Sequence, residues 1–154
     1  MRRVLLALLA GVAAAWIVVA TAGRNPVTCH LNGSLPDRNC TPGVRSRFAA
    51  ARVCRLGPRR GVPHDLVVGV YDVYGIGPRV RALYRPDELI PRQLGGGLRS
   101  RNIWPEPIHR LPGPAAKRSL ERRLHQLVCS HRLSLRVAQN EISNDWVAAY
   151  RHVR

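Results

Sequence analysis

Of the 25 basic residues in this 154-residue chain, only Lys117 is a lysine, and acidic residues number 9. Aromatics are equally sparse at 5%, too few for a platform on which single-stranded bases would stack. No Cys-x-x-Cys pair occurs among Cys29, Cys40, Cys54 and Cys129, which argues against a structural zinc site. Gly95, Gly96 and Gly97 are not followed by Lys-Ser/Thr, so the triplet is not a phosphate loop and reads as a flexible turn. Ser119 and Ser130 lack the glycines of a nucleophile elbow. Internal repeats and low-complexity tracts are missing, and after residue 20 no stretch is apolar enough to span a bilayer.

At the N-terminus, Arg2 and Arg3 precede an uncharged apolar run from Val4 to Ala20, and Ala20-Thr21-Ala22 has the small-x-small form of a cleavage site. Residues 1–22 are therefore expected to be a signal peptide or an N-terminal membrane anchor, and the protein secreted or held on the outer face of a membrane. The remaining length suits one domain with a modest core. Four cysteines in a small exported domain favour two disulfides, and the spacing leaves all three connectivities open. The formal charge of +16 attracts DNA, other polyanions or anionic lipid, although an Arg-, Ala- and Gly-rich composition also follows from a GC-rich genome.

Residues 23–60 read as an irregular, cysteine-containing segment with a short helix over 45–55, stopped by Gly57-Pro58. Residues 61–154 carry the remaining elements. Pro63 suits the first turn of a helix through Leu66, Val67, Val70, Tyr71 and Tyr74, and Gly75 lies just past its end. Alternation over Arg79 to Arg85 predicts a strand with one basic face. A loop over 108–114 precedes a helix over 115–130. Ser134 caps a last helix with the stripe Leu135, Ala138, Ile142, Trp146, Ala149, Tyr150 and Val153, and Trp104 and Trp146 belong to the core.

Tyr84 to Pro107 organises the rest. Asp87-Glu88-Leu89-Ile90-Pro91 is followed by Gly95-Gly96 and by Asn102-Ile103-Trp104-Pro105-Glu106-Pro107. Together with Leu35-Pro36-Asp37, Cys40-Thr41-Pro42-Gly43, Tyr74-Gly75, Leu120-Glu121, Leu124-His125, Val128-Cys129 and Asp145-Trp146, this order resembles exported bacterial proteins of the HNH, or His-Me finger, nuclease class. The resemblance runs over roughly residues 35–152. It implies an α+β fold with a small ββα-metal core, extra packing helices and disulfide staples.

It further implies metal-dependent phosphodiester hydrolysis on DNA or another phosphate-rich polymer. Asp87 would ligate Mg²⁺ or Mn²⁺, and Asn102 would position the loop and the base. His125 is the leading further ligand, with Glu121 four residues earlier on the same helix face, and His109 is the second option. At the position of the family's general-base histidine stands Glu88, a weaker base whose charge faces phosphate, so hydrolysis is expected to be weakened or lost. Arg92, Arg99 and Arg101 flank the site as candidate nucleic-acid contacts or as solvated charges. His30, His64, His131 and His152 read as surface residues. The alternative function is a non-catalytic basic scaffold or binding protein of the cell envelope, with the membrane engaged only through the N-terminal segment.

Overall fold

The structure, a computed structural model, describes residues 28–59 and 61–153; the predicted leader over 1–22 lies outside them. Among the described residues four helices accompany a two-stranded antiparallel ribbon. They are α1 (Ala50–Val53), α2 (His64–Val73), α3 (Pro114–Cys129) and α4 (Leu135–His152), and the strands are β1 (Tyr84–Glu88) and β2 (Ile103–Pro107). The fold is thus mixed helix and strand with two disulfides, as the sequence leads one to expect.

The ribbon pairs Tyr84 with Pro107, Arg85 with Glu106, Asp87 with Trp104 and Glu88 with Ile103. Pro86 faces Pro105 at its centre. Proline is tolerated there because both strands are edges, each leaving one side of its backbone outside the ladder. Arg85 and Asp87 share one face of β1, and their partners Glu106 and Trp104 share the matching face of β2, because side chains alternate along a strand.

Helix α3 buries Lys117, Leu120, Glu121, Leu124 and Val128, a single stripe at spacings of three and four. Helix α4 buries Ala138, Gln139, Ile142, Ser143, Trp146 and Ala149, and the Ser134 hydroxyl accepts from Val137 N at its start as predicted. The helix is not continuous, however. Asp145 leaves helical geometry (φ −159°, ψ 91°), and its Oδ1 accepts from Ala148 N at 2.9 Å, so it caps a fresh start of the last turns. Trp104 and Trp146 are both fully buried, and the Trp146 indole donates to the Ser34 carbonyl at 2.8 Å.

Three local expectations need correction. The segment Pro78–Leu83 is a 3-10 turn, and the strand begins only at Tyr84. Its alternation of apolar and basic residues has nothing to cover, since none of its residues is buried. The early helix is confined to Ala50–Val53, because the backbone before it is taken by glycines: Arg45 bridges Gly96, and Ser46 N donates to Gly95 O at 2.7 Å. Those glycines are not a loose turn. Gly95 and Gly96 are buried, and a Cβ on Gly96 would meet the Ile90 carbonyl oxygen at 1.7 Å.

The disulfides are Cys29–Cys40 and Cys54–Cys129. The first closes a local loop, and the second joins the end of α1 to the end of α3. Two such bonds point to an oxidising, extracytoplasmic environment. Among the described residues no helix is long and apolar enough to cross a membrane.

Candidate functional site: a charged cleft around Lys117

The end of β1 meets the first turns of α3 in an open cleft of about 240 Å³. Asp87, Glu88 and Glu121 line it, together with Arg59, Arg85 and Arg118. The sequence-predicted pair Asp87-Glu88 is therefore brought to one site, but not in the state that the sequence leads one to expect.

The chain's one lysine sits beneath it. Lys117 is 1% exposed, and its Nζ lies 2.7 Å from Asp87 Oδ2, 2.6 Å from Glu121 Oε1 and 2.7 Å from the Glu88 carbonyl oxygen. The ammonium donates to Glu121 and to the Glu88 carbonyl, and Asp87 is a close ion contact. Burial by itself pushes this ammonium down in pKa, but Asp87 and Glu121 more than offset that and hold it above its ordinary value.

Besides its ion contact with Lys117, Asp87 accepts from Arg85 Nη2 at 3.1 Å and from Trp104 Nε1 at 3.3 Å. Glu88 is held by the Arg59 guanidinium and by Arg92 N, the latter at 2.9 Å. Arg85 also lies 2.8 Å from Glu106 Oε2, an ion contact without hydrogen-bond geometry. Glu106 is 1% exposed and neither of its carboxylate oxygens receives a hydrogen bond. Burial, reinforced by the Asp87 charge, pushes its carboxyl up to about 7, against the pull of Lys117 and Arg85. Burial likewise raises Glu121, with Lys117 pulling the other way.

Asn102 is fully buried at the start of β2 and acts as a clamp. Its Oδ1 accepts from Ile90 N (3.0 Å) and Val44 N (3.2 Å), and its Nδ2 donates to Ile90 O (2.9 Å) and Gly97 O (3.0 Å). One side chain thereby ties three backbone segments together, and it holds the loop between the strands.

His125 is elsewhere. It lies eight residues along α3 from Lys117, roughly 12 Å of helix rise. Its Nε2 is 3.4 Å from Val53 O and 3.5 Å from Cys129 Sγ. Donor atoms of Cys54, His125 and Cys129 fall within 4.8 Å of one another, but both sulfurs are joined in a disulfide and offer no thiolate. His109 lies exposed in the loop before α3, and His30, His64, His131 and His152 are exposed as expected.

A divalent cation at Asp87 requires free carboxylate lone pairs. Here Asp87 and Glu121 are directed at Lys117, and Glu88 at Arg59, so the residues present do not fit a metal ion beside the ammonium. Arg92 is half-buried, while Arg99, just before the short 3-10 turn over Ser100–Asn102, and Arg101 within it are exposed, with no ion-pair partner among the described residues. Lys117, Arg85 and Arg59 belong to no motif in the sequence, and Glu106 entered only as part of the Asn102–Pro107 motif, with no role of its own. The available signal was Lys117 and Glu121 lying on the same helical stripe as Leu120, Leu124 and Val128. Comparisons with family models, with curated proteins and with solved structures return no match to this chain.

Proposed function

We propose that this chain is an extracytoplasmic, HNH-like protein that binds a phosphate-rich polymer, DNA foremost, without hydrolysing it. The ribbon β1–β2 followed directly by α3 is consistent with the ββα order that the sequence resemblance implies. One observation carries the non-hydrolytic part: the Lys117 ammonium, 2.7 Å from Asp87 Oδ2, occupies the carboxylate on which a catalytic cation would depend. The replacement of a histidine by Glu88, itself paired with Arg59, removes the base as well. The formal charge of +16, and Arg99 and Arg101 without an ion-pair partner among the described residues, support the polyanion.

The test incubates the protein with supercoiled plasmid and Mg²⁺ or Mn²⁺, and measures duplex binding by fluorescence anisotropy across a salt series. Binding that weakens steeply with salt and drops in an Arg99→Ala/Arg101→Ala double variant is expected, with no nicking. Nicking by the wild type that Asp87→Ala abolishes would establish a nuclease instead. Affinity indifferent to salt would leave a structural envelope protein.

A further inference from the structure

Three oxygens from two elements converge on one atom at the floor of the cleft. Asp87 Oδ2 and the Glu88 carbonyl come from β1, and Glu121 Oε1 comes from α3; all lie 2.6 to 2.7 Å from Lys117 Nζ. Asp87 and Glu121 are each 9% exposed. A third carboxylate, Glu106, stands on the same ribbon face, paired with Arg85 across the ladder, 1% exposed and with no hydrogen-bond donor on Oε1. Such an arrangement is an oxygen cage around a cation, and the cation is part of the chain.

We propose that Lys117 is a built-in counter-ion in an oxygen-lined cation site, and that removing its side chain turns the cage into a site for a free divalent ion. Hard cations take carboxylate and carbonyl oxygens. Oxygens set 2.6 to 2.7 Å from the ammonium need little contraction to hold Ca²⁺ at about 2.3–2.6 Å, and more to reach the about 2.0–2.1 Å of Mg²⁺. Without the lysine, Asp87, Glu106 and Glu121 face one another with Arg85 as the remaining cation in contact. A tethered ammonium competes at high local concentration, so the wild-type cage ignores free metal. The inference rests on the Lys117–Asp87 contact that also supports the proposed function, but it requires no nucleic acid.

The experiment follows the unfolding of the full chain and of Lys117→Ala, with EDTA or with CaCl₂, MnCl₂ or MgCl₂ at matched ionic strength. Expected is a lowered Tm for Lys117→Ala that rises saturably with Ca²⁺, one ion per chain by calorimetry. At about 100 times Kd the folding equilibrium should gain about 100-fold. The wild type should not move. Adding Asp87→Asn or Glu121→Gln to Lys117→Ala should abolish the response. A Lys117→Ala chain unfolded in EDTA that folds with Ca²⁺ supports the cage. A folded variant whose Tm ignores cations, or one that stays unfolded at saturating Ca²⁺ and Mn²⁺, overturns it. Duplex binding indifferent to salt would refute the proposed function and leave the cage intact; a cation-indifferent Lys117→Ala would do the reverse.

Discussion

Replacing Lys117 by methionine keeps the length of the buried stem and deletes the charge. Two carboxylates, Asp87 and Glu121, and the Glu88 carbonyl then lose their common donor, all in a region with little access to water. Arg85 still reaches Asp87 at 3.1 Å, but no other described cation pairs with Glu121. Removing one partner of a buried ionic cluster costs about 3–5 kcal/mol, because the remaining charges stay desolvated. Over a domain of this size that corresponds to a fall in Tm of roughly 10–25 °C. Urea unfolding read by tryptophan fluorescence is the assay, since Trp104 and Trp146 are fully buried and Trp104 touches Asp87. Two further measurements separate charge from shape. The loss should shrink toward pH 4 as the stranded carboxylates take up protons. Lys117→Met/Asp87→Asn/Glu121→Gln should recover at least half of it, because no uncompensated charge remains. A loss below about 1 kcal/mol, or a triple variant no better than the single one, would refute the view that this cluster is energetically coupled.

Glu106 sets a pH dependence of defined sign. Its folded-state carboxyl, near 7, lies above the ordinary 4.5, so its contribution to stability is complete below pH 4.5 and is lost as pH rises through 7; the full effect is up to about 3 kcal/mol. Glu106→Gln should flatten that part of the stability–pH profile measured by urea titration, and an unchanged profile would count against it. Loss of Cys54–Cys129 should destabilise more than loss of Cys29–Cys40, since they span 75 and 11 residues; chain-entropy arguments give about 4.5 against about 3 kcal/mol, and paired Cys→Ala variants compared by thermal unfolding would show the order. Gly96→Ala should abolish soluble folded protein or cost more than about 3 kcal/mol, because its new methyl would overlap the Ile90 carbonyl. Gly97→Ala, whose nearest contact would be the Val44 side chain at 3.3 Å, should be mild by comparison.

Helical periodicity was readable wherever a stripe is buried against a partner. α2, α3 and α4 fall where their apolar residues recur, and their stops and starts follow Gly75 and Ser134. Periodicity misled where tertiary pairing or exposure overrides it. Residues 45–49 have helix-compatible composition but are drawn out by the Gly95–Gly97 backbone, a contact between segments that no local pattern encodes. Asn102 was expected to position the loop only through the family resemblance; the four backbone groups that its amide serves are set by tertiary contact. The charged network was not legible. Arg85 and Glu106 become neighbours only through strand register, and Arg59 reaches Glu88 from outside the motif altogether. Lys117 stood out as the one lysine of a basic chain and by its place, with Glu121, on a mostly apolar stripe, but neither sign says which acids it meets. Disulfide pairing likewise depends on where α1 ends relative to α3.

The bond from Trp146 to the Ser34 carbonyl ties together residues 112 positions apart. A chain cut before Trp146 would lose both that donor and a fully buried indole, so the fold closes on its first described turn only when the last helix is in place.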